Sequence, residues 1–170
     1  VLPWPMELFA WDVHPRLAQG FIGAGYVFRT AFFLNAAFET DWRKLRWIVV
    51  GNLAFTGTLL FATYWHMAEF HWDLHVTLIG HVWLILYVFE PVVMLYLIPR
   101  ATFALPPTRT GGPIHPLFRA FLVGTAMLLL TNGLMLVINP TFAAARWPWE
   151  LNDLDGRIMA AWFLGWTVWI

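Results

Sequence analysis

The stretch WIVVGNLAFTGTLLFATYW at 47–65, followed by the connector HMAEFHWDLH at 66–75, decides how this chain is read. The first part carries no charge. As a helix rising about 1.5 Å per residue it spans roughly 28 Å, the thickness of a bilayer's hydrocarbon core. Arg43, Lys44 and Arg46 stand before it, and Trp47, Tyr64 and Trp65 bracket it, as expected of aromatics placed at a membrane-water interface. Beyond the connector, a second apolar run at 76–99 holds one charge, Glu90, and stops at Arg100. The two runs predict a transmembrane helical hairpin whose polar tip is rich in histidine.

Composition extends that reading to the whole chain. The residues are 60% hydrophobic, 18% aromatic and only 12% charged, and the mean hydropathy is +0.64, far from the balance of a water-soluble domain. Net charge is zero, which removes the electrostatic case for nucleic acid as a partner. Without cysteine, thiol catalysis, disulfides, iron-sulfur clusters and cysteine-based zinc sites are excluded. Serine is absent too, so a Ser-His-Asp hydrolase is excluded, and no glycine-rich loop suits a nucleotide. Nothing here points to an enzyme.

Working outward, the predicted spans are 16–38, 47–65, 76–99, 117–138 and 157–170, about five in a single all-α polytopic bundle. The N-terminal stretch 1–14 is broken by prolines and polar residues and reads as an interfacial segment. Gly20, Gly23 and Gly25 give span one a close-packing surface. Prolines and glycines at 106–116 mark a loop, and 139–156 reads as a polar connector. Val at position 1 and the apolar run still open at Ile170 read as a segment of a longer polypeptide. With alternating spans, Arg43, Lys44, Arg46, Arg100, Arg109 and Arg119 share one side, whereas Arg16, Arg146 and Arg157 lie on the other. The positive-inside rule then predicts cytoplasmic loops at 39–46 and 100–116 and exterior loops at 66–75 and 139–156, in a cell's inner (plasma) membrane.

An internal repeat fits this map. The pentapeptide WPMEL at 4–8 matches WPWEL at 147–151, and Arg16-Leu17 matches Arg157-Ile158 at the head of the following span. Four crossings separate the copies, so the duplication predicted is parallel, a pattern of transporter halves. The plainer alternative is that Trp-Pro recurs wherever a chain enters a bilayer, since Trp anchors at the interface and Pro suits a first helical turn.

The second copy, with Leu154, Arg157 and Ala161-Trp162 after it, resembles a recurrent Trp-Pro-Trp-x-Leu…Arg signature of uncharacterised bacterial multi-pass membrane proteins. Asp41-Trp42-Arg43 and Arg46, then His66 and Phe70-His71, are similar to further parts of that pattern. The resemblance implies a multi-pass bacterial membrane protein and carries no assigned activity.

Three constellations carry candidate chemistry. If the connector is helical, His71 and His75 share a face at i,i+4, the relation by which two imidazoles reach one zinc or copper ion. The alternative is that such histidines cap helix ends and keep an interfacial loop wet. His66 and His81 lie at the ends of adjacent spans near one membrane face, where haem would need two facing imidazoles and a chlorophyll-type pigment one, best supplied by His81. Buried in an apolar span, His81 is expected to have a hydrogen-bond partner or a metal. Finally, Arg29 lies ten residues before Glu39 and Glu90 ten before Arg100. Both charges therefore sit about 15 Å from the same boundary. That matched depth predicts an intramembrane ion pair, with Pro91 loosening span three beside it.

From these features the chain is expected to be a structural or accessory subunit among other subunits in a lipid bilayer. The alternatives are a small-molecule or ion transporter using Arg29 and Glu90, and a haem or chlorophyll-type pigment protein in electron or energy transfer.

Overall fold

A computed structural model describes residues 9–73, 78–103 and 112–170, and of residues 100–103 the backbone alone. Among them six α-helices form: α1 (Arg16–Ala37), α2 (Trp42–Trp65), α3 (Ile79–Phe103), α4 (Pro116–Ile138), the short α5 (Pro140–Ala144) and α6 (Asp153–Trp169). A 3-10 turn at Met67–Glu69 follows α2. The helices α1, α2 and α4 and the stretch Ile79–Pro99 of α3 are each long and apolar enough to cross a membrane. The chain is a multi-pass, all-α bundle, as its apolar runs predict.

Helix starts follow local chemistry more closely than they follow hydropathy. The second helix begins at Trp42, five residues ahead of the predicted 47, because the Asp41 side chain accepts a hydrogen bond from the Arg43 amide. Asn152 caps α6 in the same way by accepting from the Asp155 amide, so the helix predicted to start at 157 begins at Asp153. His115 accepts from the Leu117 amide with Pro116 opening α4, and Asn139 from the Phe142 amide with Pro140 opening α5. The connector predicted at 139–156 therefore contains α5 and the first turn of α6. At the far end of span three, helical backbone runs through Pro99 to Phe103.

The most enclosed element is α6. Every residue from Leu154 to Phe163 is buried, although α6 is only 17 residues long. It packs between α2 and α4 and also touches α1, while α2 packs on α3. Glycines permit the closest approaches. A Cβ on Gly25 of α1 would lie 2.7 Å from the Trp162 ring, and one on Gly133 of α4 2.9 Å from Leu164. Phe55 of α2 meets Trp162 at 4.4 Å between ring centroids, and Trp169 donates to the Ile48 carbonyl at 3.2 Å. Outward faces of α3 and α4, with Ile85, Phe89, Val92, Leu117, Phe121 and Leu128, are exposed and apolar, suited to lipid tails. Buried hydroxyls stay satisfied inside α2, since Thr56 and Thr63 donate to the carbonyls four residues back.

Part of the described segment before α1 folds back onto the bundle, while Asp12 and His14 stay exposed. Ala10, Trp11 and Val13 are almost fully enclosed, and Trp11 pairs with Phe70 in an isolated antiparallel bridge. Residues 4–8, the first copy of the repeat, lie outside the described residues. The two arginines that the repeat matches take different places, Arg16 exposed and Arg157 buried.

Candidate functional site

Within α1, the residues Tyr26, Arg29, Thr30 and Phe33 recur at spacings of three and four and so share one face. In α3, Tyr87 and Glu90 are three apart, as are Asn52 and Phe55 in α2. These three faces meet on the Arg29 guanidinium. Its Nη2 donates to both carboxylate oxygens of Glu90 at 2.7 Å and to Asn52 Oδ1 at 3.3 Å. Its Nη1 donates to the Tyr87 hydroxyl at 3.3 Å. The Tyr26 and Tyr87 hydroxyls share a hydrogen bond of 2.6 Å. Phe55 and Phe33 sit against the cation, with ring centroids 4.8 and 5.2 Å from the guanidinium carbon.

This arrangement satisfies the need to neutralise charge in hydrocarbon without exhausting the arginine's donors. A fork would give each carboxylate oxygen its own nitrogen. Here one nitrogen serves both, and Nε has no partner among the described residues. Asn52 is fully buried, and its Nδ2 has no partner among the described residues. The pair is mostly enclosed, with 13% of the Arg29 side chain and 26% of the Glu90 side chain exposed. Beside it lies a cavity of about 250 Å³ lined by Tyr26, Arg29, Thr30, Phe33 and Glu90. Pro91 follows Glu90 inside the helix and, lacking an N–H, leaves the Tyr87 carbonyl without its usual donor.

The histidines are placed differently from one another. His66 ends α2 and is buried. Its Nε2 faces Arg157 Nη1 of α6, and its Nδ1 faces Glu69. A guanidinium has only donors, so Nε2 accepts and the proton sits on Nδ1, donated to Glu69. Both ring nitrogens are thereby engaged, and His66 in this arrangement has none to offer a haem or pigment. His71 follows the bridge at extended Phe70 and lies on no helix. The helical i,i+4 relation to His75 is thus lost at His71, and His75 itself lies outside the described residues. His71 donates from its amide to the Ala10 carbonyl at 2.8 Å and from Nδ1 to the Phe9 carbonyl at 3.0 Å, tying connector to N-terminal segment. His81 meets Trp72 edge to face at 5.7 Å. Its buried Nδ1 has no hydrogen-bond partner among the described residues. Among the described residues no three histidines or carboxylates converge as a metal site.

A third polar cluster fastens the N-terminal segment to α6. Trp11 Nε1 donates to Asp155 Oδ1 at 2.8 Å, and Asn152 Nδ2 and the His14 amide donate to Oδ2 at 2.9 and 3.3 Å. Burial raises the Asp155 carboxyl above its usual range, with these three donors opposing the shift.

The sequence predicts Arg29 and Glu90 as a pair but not their tyrosines or Asn52. A signal was present: Tyr26-x-x-Arg29 and Tyr87-x-x-Glu90 repeat one spacing, each pair of partners 61 residues apart. The contact of Arg157 with His66, 91 residues away, has no such local mark. No protein-family model matches the chain, and neither a curated protein nor a solved structure is similar to it.

Proposed function

We propose that this chain is a membrane transporter whose solute or coupling ion is handled at the Arg29–Glu90 site. The observation that supports this reading is the site itself: opposite charges from separate spans, joined beside an open pocket rather than sealed in a packed core. A purely structural pair gains from close packing on every side, whereas a cavity leaves room for a second species. The segments 39–46 and 100–116 are assigned to the cytoplasm and 66–75 and 139–156 to the exterior of a plasma membrane, on the distribution of Lys and Arg. The test is solute flux in vesicles containing the purified chain, with Arg29→Ala and Glu90→Ala vesicles as controls. Flux that both replacements abolish supports the reading; flux absent for anions, cations and neutral solutes alike overturns it.

The second reading, an accessory subunit of a larger membrane assembly, is favoured by glycines with open space around them. Gly20 and Gly23 of α1 and Gly124 of α4 have nothing within 4 Å of where a Cβ would stand, which suits docking by another helix. Native mass after mild-detergent purification tests it, through stoichiometric co-purifying subunits. A visible and near-infrared spectrum of the same preparation tests for haem or pigment at His81.

A further inference from the structure

We infer that the Arg29–Glu90 cavity takes a small monocarboxylic acid, binding its anion on Arg29 and its proton on Glu90. The inference rests on the transport reading for its setting and names the class of ligand for that site. It begins from the charge balance of the pair. Together Arg29 and Glu90 are neutral, and in a low-dielectric surrounding an incoming ligand must leave them neutral. A bare anion on Arg29 would strand the Glu90 carboxylate, and a bare cation on Glu90 would strand the guanidinium. A proton arriving with an anion avoids this; a zwitterion would avoid it too, and is told apart because it binds without proton uptake. Of the two side chains only Glu90 can be neutralised by taking up a proton, because a guanidinium does not give up its own in proteins. The ligand that exchanges into the pair is therefore an anion, and what enters overall is an acid.

The exchange balances. The acid's O–H bond breaks, the proton passes to a Glu90 oxygen, and the freed carboxylate takes the place on Arg29 Nη2 that the Glu90 carboxylate held at 2.7 Å. Site charge is zero before and after. The geometry favours a carboxylate in particular, because the guanidinium already holds one there and keeps Nε without a partner. The lining also sets the rest of the molecule. Phe33 and Tyr26 offer aromatic surface, and the open pocket of about 250 Å³ has room for a small organic acid against them. Acids from acetic to benzoic acid fit that space; a citrate-like polyanion does not fit its charge.

The experiment titrates the purified full chain with sodium acetate, lactate and benzoate in weakly buffered detergent solution containing a pH indicator, and follows flux of the same acids in vesicles. The expected result is uptake of about one proton per anion bound, with affinity falling about tenfold for each pH unit once Glu90 is ionised. In Glu90→Gln, which mimics the protonated side chain, binding should lose its pH dependence and its proton uptake. Arg29→Ala should lose binding altogether. Binding without proton uptake, an unchanged pH slope in E90Q, or binding of chloride or ammonium but of none of the carboxylates overturns the inference. Should E90Q fail to fold, the proton count on the unaltered chain decides alone. Flux of some other solute without carboxylate binding overturns this inference and spares the transport reading. Proton-linked carboxylate binding without flux does the reverse.

Discussion

Arg157 of α6 and His66 at the end of α2, 91 residues apart in sequence, close on each other at one end of the bundle, the guanidinium donating to Nε2 of the imidazole. Glu69 on the other ring nitrogen fixes the tautomer that makes this possible. Both side chains are more than nine-tenths enclosed, so removing either leaves a buried polar group unsatisfied. Arg157→Ala and His66→Ala should each destabilise the bundle by about 1–3 kcal/mol. Thermal unfolding in detergent checks this, and two variants that melt with the unaltered protein would show the contact to be idle.

Arg29 and Glu90 should behave as a coupled pair. Arg29→Ala or Glu90→Ala strands a charge in the membrane interior and should cost about 2–4 kcal/mol, less than the upper range for fully buried pairs because Glu90 is partly exposed. The double replacement should cost less than the sum of the two. A double-variant cycle measured by unfolding in detergent supplies the number; strict additivity would remove the pair as an energetic unit.

The glycines of α1 should differ sharply. Gly25→Ala pushes a methyl against the Trp162 ring, whose nearest atom would lie 2.7 Å from the new Cβ. Since Trp162 is fully buried, it cannot give way freely, and the replacement should cost about 1–3 kcal/mol. Gly23→Ala, two residues away with open space around it, should change stability by only about 0.5 kcal/mol. Equal melting temperatures for the two variants would contradict the packing of α1 on α6.

One prediction concerns the turn between α1 and α2. The Arg43 side chain and amide hold the Asp41 carboxyl down at about 2. Because the folded value lies below the ordinary carboxylate value of about 3.9, the contribution of this cap is present above that ordinary value and lost as pH falls through about 2. Titration followed by the carboxylate infrared band should find Asp41 ionised at pH 3. In Arg43→Ala the value should rise by about one unit or more.

The four long spans are legible in the sequence because an apolar run of membrane length has few other uses. The ends are less so, since hydropathy does not register a single cap: Asp41 starts α2 well before the run becomes purely apolar, and Asn152 does the same for α6. Arg29 and Glu90 stand out because charges are rare in such runs and depth can be counted along a helix. Asn52, Tyr26 and Tyr87 are ordinary residues of apolar helices, and their convergence depends on how three helices rotate against one another. His71 misleads for a related reason. Its spacing to His75 suits a helix, but Phe70, just before it, pairs with Trp11, a contact made far along the chain, and His71 lies outside any helix.

The helix that the others surround is also later in the chain than any of them. A ribosome delivers α1 to α4 into the bilayer before α6 exists. Of these, α2 and α3 already have each other, with Trp83 donating to Thr63 at 2.9 Å. The surfaces of α2 and α4 that α6 covers, at Gly51, Gly133 and Leu136, are not closed until α6 arrives. Trp11, among the earliest of the described residues to emerge, gains its carboxylate partner only when Asp155 is made. Nascent chains stalled before α6 should therefore be loosely associated helices, open to insertion factors and to membrane proteases, and completion of this one segment should close the bundle at both ends together.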